Sequence, residues 1–180
     1  MLIRDAKADE LPYIKHLYDA SFPPAEKKPF SLILEKCADG KMEILVLIQD
    51  TTPLGLMITV LHKDLVLLDY FAIDTDSRGR GTGSAALALF RQRYKGKQLL
   101  LEIEVQDINA DNADQRRRRK AFYLRNGLLE TGLRAVLFGV EMEILVFDSG
   151  CHIDFDDYHD IYRSLGKPIA DRVEPVSTNL

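Results

Sequence analysis

The stretch Leu65-Val66-Leu67-Leu68-Asp69-Tyr70-Phe71-Ala72-Ile73 is an apolar run interrupted by one acid, and Asp74-Thr75-Asp76-Ser77 joins it to Arg78-Gly79-Arg80-Gly81-Thr82-Gly83-Ser84. Glycine tolerates positive φ and lets a ligand approach the backbone, while the first N–H groups of a helix lack an intrahelical acceptor and carry partial positive charge. A strand, an alternating-glycine loop and a helix start, in that order, make a cradle for a phosphate or pyrophosphate. Gly81-Thr82-Gly83-Ser84-Ala85-Ala86 also meets the loose dinucleotide fingerprint, with Glu102 21 positions beyond Gly81 as a ribose-binding acid. The surrounding order opposes that reading, because the runs before the loop form a hairpin meander and no further βα repeat follows Glu102. A Walker loop is excluded, since no Gly-Lys-Ser/Thr closes the segment.

The elements that must position this loop follow from periodicity. Residues 2 to 5 read as a strand, and Asp9 can cap a helix with Leu11, Ile14 and Tyr18 on one face, ended by Phe22-Pro23-Pro24. Phe30, Ile33, Leu34 and Cys37 mark a second helix, closed by Asp39-Gly40. Strand-like runs at 43–49, 53–62 and 65–74 have connections so short that they predict an antiparallel meander. A helix over about 81–94 comes next, then a strand over 98–105. Another helix begins between Asn112 and Arg116 and ends at Asn126-Gly127. Strands around 128–131 and 135–147 precede a helix whose Tyr158, Ile161, Tyr162 and Leu165 share a face, and 166–180 reads as a loose tail.

Composition bounds the function class. At 180 residues, with roughly 100 to 200 per domain, one main domain is expected, and 46% hydrophobic with 29% charged residues is ordinary for a globular chain. No apolar run approaches the ~18 residues needed to span a bilayer, and the first residues show no signal-peptide pattern, so the expected location is the cytoplasm and no membrane partner is expected. Cys37 and Cys151 stand alone without metal-ligand spacing, and His16, His62, His152 and His159 are scattered, so neither a disulfide framework nor a metal is expected. The net charge of −4 argues against general nucleic-acid binding. The charge is nevertheless polarised, with ten basic and five acidic residues between 91 and 125 against three basic and nine acidic between 141 and 174.

Arg78-x-x-Gly81-x-Gly83 resembles the acetyl-coenzyme A signature of the GNAT family of N-acetyltransferases, Gln/Arg-x-x-Gly-x-Gly/Ala at a strand-to-helix junction. Phe122-Tyr123-x-x-x-Gly127 is similar to that family's second landmark, about 40 positions on. The two landmarks span about residues 65 to 131, and the element order along 1–147 matches the family's as well. The resemblance implies an α/β (α+β) fold, a mixed, mostly antiparallel twisted sheet flanked by helices over 1–147. Residues 148–180 add a short C-terminal helical extension and the tail. It implies acetyl-CoA as co-substrate, with N–H groups of Arg78, Gly79, Arg80, Gly81, Thr82, Gly83 and Ser84 on the pyrophosphate. Backbone groups of Phe71, Ala72 and Ile73 would pair with the pantetheine arm and acetyl carbonyl, while the side chains of Phe71 and Ile73 pack in the core. Main-chain donors of that kind stabilise an oxyanion without reorganising.

The resemblance further implies that Tyr123 is the general acid for the departing thiolate, a role its ordinary pKa near 10 permits. An amine nucleophile with a pKa near ~10.4 is mostly protonated at neutral pH, so an acceptor must take its proton. Alternation along 99–106 puts Glu102 and Glu104 on one strand face, and Asp69 interrupts the strand that would carry the acetyl group; all three are candidate bases. The expected reaction is direct attack of a primary amine in a ternary complex. The rival reading is a non-catalytic acyl-CoA sensor. Arg116-Arg117-Arg118-Arg119-Lys120 reads as a helix face paired with Asp107, Asp111 and Asp114, as an aid to the coenzyme 3′-phosphate, or as an RNA-binding run. The expected acceptor is a small-molecule or peptide amine, and the resemblance implies that its specificity would be set by the first helices and their connection, Ser21 to Ser31, and by the late hairpin; a homodimer is compatible.

Overall fold

A computed structural model describes residues 1–148 and 150–176. The chain forms two compact units, residues 1–97 and 98–180, taken in turn below.

The first unit contains β1 (Leu2–Asp5), α1 (Leu11–Ser21), α2 (Phe30–Ala38), β2 (Met42–Gln49), β3 (Thr52–His62), β4 (Leu65–Ile73) and α3 (Thr82–Arg93). Its strands pair antiparallel in sequence order, β1-β2-β3-β4, through two tight turns in which Asp50 and Lys63 take positive φ of 55° and 52°. Connections this short leave no alternative to antiparallel neighbours. Residues 44–48 of β2 and 56–60 of β3 are all buried, so the sheet is covered on both faces, as continuous apolar runs demand. Helix α1 starts one residue later than Asp9 would place it. Residues 8–10 form a 3₁₀ turn, Glu10 is the cap, and Pro12 sits in the first turn, where its missing N–H costs nothing. Ile14, Leu17 and Tyr18 are its buried face.

The second unit contains β5 (Gln98–Glu104), α4 (Ala113–Arg125), β6 (Leu129–Leu137), β7 (Val140–Val146), α5 (Phe155–Leu165), α6 (Lys167–Ala170) and β8 (Val173–Pro175). Its strands, all antiparallel, run β5-β7-β6-β8. Two expectations are corrected here. The strand break expected at 132–134 is an irregularity inside β6: Glu130 pairs with Leu145 and Arg134 with Glu143, while Gly132 takes φ of 78°. The hairpin turn is Phe138-Gly139, both at positive φ, a turn the apolar run conceals because phenylalanine rarely adopts that conformation. Residues 167–175 are no loose tail, since α6 follows α5 directly and β8 adds to β6 through Ala135↔Pro175, Val136↔Glu174 and Leu137↔Val173. Residues 177–180 of that expected tail lie outside the described residues. Helix α5 is capped by Asp154, whose carboxylate accepts the Asp157 N–H at 2.9 Å, and its Tyr158, Ile161, Tyr162 and Leu165 are all buried as the periodicity predicts.

The expected architecture of antiparallel strands flanked by helices is therefore present. Among the described residues no helix is long and apolar enough to cross a membrane, and no cluster of His, Cys, Asp or Glu could hold a metal ion.

Candidate functional site

Strand β4 carries a bulge. Ile58 pairs with Tyr70 and Thr59 with Leu68, so Asp69 is the extra residue and leaves the regular alternation. Its carboxylate turns onto the Lys28 ammonium, at 2.8 and 2.9 Å, with both side chains 2% exposed. Tyr70, next along, donates its hydroxyl to the Glu26 carbonyl and accepts the Lys28 N–H, pinning the α1–α2 connection to the strand. Burial pushes the Asp69 carboxyl above its ordinary range, and the Lys28 charge opposes that.

Beyond the bulge the strand delivers Phe71, Ala72 and Ile73. Ala72 is buried, but Phe71 and Ile73 are only half-buried, a correction to the expectation that both pack in the core. Opposite Ile73 lies Gly55. A Cβ at Gly55 would stand 2.5 Å from the Ala72 carbonyl oxygen, so only glycine lets β3 close onto this end of β4. Sequence reasoning missed Gly55, although an isolated glycine within an apolar strand run is the available signal.

The glycine loop follows. The Asp74 carboxylate accepts the Asp76 N–H at 3.2 Å, and the Arg78 Nε donates to the Ile73 carbonyl at 2.9 Å, tying the loop to the strand end. The Arg78 N–H is engaged by the Thr75 carbonyl at 3.3 Å, which takes it out of the set expected to face a pyrophosphate. Gly79 and Gly81 adopt φ of 78° and 77° with open space where a Cβ would stand. Gly81 is the N-cap of α3. Serine or aspartate at a cap would use its side chain on a first-turn N–H; glycine leaves those of Thr82, Gly83 and Ser84 to other acceptors. Thr82 is buried, whereas residues 78–81 and Ser84 are exposed.

In the second unit, Tyr123 lies on α4, buried, with its ring 5.3 Å from that of Phe122. Burial pushes its phenol up to about 12, with the Arg119 charge pulling the other way. The two glutamates of β5 have different helices for partners. Glu102 accepts hydroxyls from Tyr158 at 2.5 Å and Tyr162 at 2.7 Å, both on α5. Glu104 is held by Arg116 and Arg119 of α4, each at 2.9 Å, and by the Asn112 amide at 3.1 Å. Arg116, Arg117, Arg119 and Lys120 of the basic run are thus paired, and their acids come mainly from strands. Lys120 bridges Glu130 and Glu143, and Arg117 uses one of the expected aspartates, Asp114 at 2.9 Å. Asp69, Phe71–Ile73 and the loop form one continuous segment of the first unit, while Glu104, Arg119 and Tyr123 are linked in the second. Lys28, Tyr158 and Tyr162 were not legible as partners, because each lies more than 40 positions from the acid it holds.

No protein-family profile and no curated protein sequence matches this chain. Solved structures do. A GNAT-family acetyltransferase candidate from Bacteroides thetaiotaomicron superposes with a TM-score of 0.70 at 21% identity, over 92% of this chain and 96% of its own. An aminoglycoside 6′-N-acetyltransferase complexed with coenzyme A gives 0.64 at 10% identity, over 86% and 100%. The ribosomal-protein-S18-alanine N-acetyltransferase of Escherichia coli gives 0.57 at 20% identity, over 84% and 98%. The likeness at such identities is one of fold, and the fold of this chain is that of the GNAT acetyltransferases.

Proposed function

We propose that the protein is an acetyl-CoA-dependent N-acetyltransferase acting on a primary amine by direct attack in a ternary complex. The observation that carries this reading is the bulged strand β4 running into a helix capped by glycine at positive φ. The first-turn N–H groups of α3 and the neighbouring loop would hold the pyrophosphate, and the Phe71–Ile73 backbone would pair with the pantetheine arm and the acetyl carbonyl. The amine nitrogen attacks the thioester carbon, the C–S bond breaks, and Tyr123 gives its proton to the departing thiolate. The amine proton passes to a carboxylate, with Asp69, Glu102 and Glu104 as the candidates. Each of the three already accepts hydrogen bonds, which stabilise its charged form and oppose its protonation. The free state of Cys37 and Cys151 fits a reducing compartment such as the cytoplasm.

The test is thiol release from acetyl-CoA across a panel of amines, together with thermal shift by acetyl-CoA. Tyr123→Phe keeps the ring and should lower turnover by about 10²- to 10⁴-fold with the thermal shift retained. Gly81→Val should abolish the shift, because a branched residue is strained at φ of 77°. Since burial raises the Tyr123 phenol to about 12, its proton is retained and the pH–rate profile should show no loss from this group below about pH 10. Unchanged turnover in Tyr123→Phe removes the acid assignment. A strong shift with no thiol release for any amine favours the sensor reading.

A further inference from the structure

The three candidate carboxylates differ in how readily a substrate reaches them. The Asp69 side chain is 2% exposed and that of Glu104 5%, whereas Glu102 is half-buried. They differ also in what holds them. Asp69 is matched by an ammonium and Glu104 by two guanidiniums, and a proton taken up at either would leave a cation without its counter-charge. Charged lysine and arginine only donate, so neither can turn to accept from a carboxylic acid. Glu102 instead accepts one hydroxyl on each oxygen, from Tyr158 on Oε2 at 2.5 Å and from Tyr162 on Oε1 at 2.7 Å. A phenol oxygen both donates and accepts, and as a neutral donor it opposes protonation of the carboxylate less than a cation does.

Both phenols come from the segment beyond 147, which the two landmarks of the resemblance do not reach. A spacing of four residues puts them on one face of α5, with rings 5.3 Å apart at 66°, and both are fully buried. The helix that carries them is fixed at its start by the Asp154 cap and continues directly into α6 and β8, which pairs with β6. We infer that Glu102 is the base of the transfer and that Tyr158 and Tyr162 are its positioning residues, holding its carboxylate toward the amine, so that the C-terminal helix belongs to the catalytic apparatus. This inference rests on the acetyl-transfer reading. An ammonium loses two protons on becoming an amide nitrogen. Glu102 takes the first, which frees the electron pair that forms the N–C bond, and later returns it to solvent. The second leaves as the C–S bond breaks and replaces the proton that Tyr123 gives to sulfur.

Glu102→Gln tests the base, since it keeps an oxygen for a phenol but takes up no proton. With acetyl-CoA and the fastest substrate among butylamine, spermidine and a peptide amine, it should lower kcat at pH 7 by about 10²- to 10⁴-fold, with the thermal shift by acetyl-CoA retained. The loss should shrink as the pH rises toward the pKa of the amine, which then sheds its proton to solvent. Tyr158→Phe and Tyr162→Phe should each move the acid limb of the kcat/KM profile to higher pH, because removing a donor to the charged carboxylate favours the protonated form. A merely structural role would lower activity alike at every pH. The surrounding groups are the same in these variants: Ile144 stands opposite on β7, Glu104 with Arg116 and Arg119 lies two residues along β5, and on α5 His159 contacts the Ala170 carbonyl and Asp160 pairs with Arg163. An undiminished rate in Glu102→Gln, or a loss equal at every pH, overturns the inference, as does an acid limb unmoved in both tyrosine variants. Should Glu102→Gln fail to fold, the tyrosine profiles decide. Thiol release by the unaltered protein alongside those results sinks this assignment alone, whereas no thiol release with any amine sinks the acetyl-transfer reading and this inference with it.

Discussion

In β4, Asp69 faces one ammonium, Lys28, and both side chains are 2% exposed, whereas in β5 Glu102 is held by the two neutral phenols of Tyr158 and Tyr162. Two residues beyond Glu102, Glu104 is held by guanidiniums, one of which, Arg119, is about a third exposed. Three acids on two strands are therefore satisfied in three ways, and burial of the partner separates them. A buried ion that loses its counter-ion keeps its full desolvation cost, a half-buried carboxylate that loses a phenol keeps its other donor, and the buried Glu104 that loses the part-exposed Arg119 keeps Arg116 and Asn112.

The largest effect should come from splitting the buried pair. Lys28→Met leaves Asp69 charged and unpaired and should cost about 3 to 5 kcal/mol in denaturant unfolding, while combining it with Asp69→Leu should restore most of the loss. A cost below that of a surface pair would break the contrast between the strands. Next in size, Tyr158→Phe should cost about 1 to 3 kcal/mol, because it removes a buried donor to a carboxylate, and Tyr162→Phe should cost a similar amount. A combined loss well above the sum would show that the two phenols act as one network. Smallest is Arg119→Ala, expected to cost about 0.5 to 1.5 kcal/mol, since the guanidinium lost is part-exposed while Arg116 and Asn112 remain on the buried Glu104. A larger cost would place Glu104 with Asp69 rather than apart from it.

Much of the fold was legible in residue order because it rests on short-range rules. Alternation and apolar runs located β2 to β5 within a residue or two, the connections 50–51 and 63–64 enforced antiparallel neighbours, and the shared face of Tyr158, Ile161, Tyr162 and Leu165 marked α5. The glycine loop was legible for the same reason, because positive φ at Gly79 and Gly81 is a local property. The misread positions depend on partners distant in the chain. Residues 173–175 look like a tail until β6 offers them an edge, and Gly132 looks like a strand break until β7 runs past it.

The site divides along the same line. By itself the sequence determined that an apolar strand enters a glycine-capped helix start, that Tyr123 follows Phe122 on a helix ending at a glycine turn, and that three acids lie on the two strands. Backbone sterics and side-chain periodicity act over a few residues, so these features are written in neighbouring positions. Only the tertiary structure decided that Asp69 is the bulged residue and belongs to Lys28, that Glu102 belongs to α5 and Glu104 to α4, and that Gly55 must be glycine so that β3 can approach Ala72. Those outcomes depend on which groups packing brings within about 3 Å of one another, and a buried charge must find a partner wherever the fold supplies one.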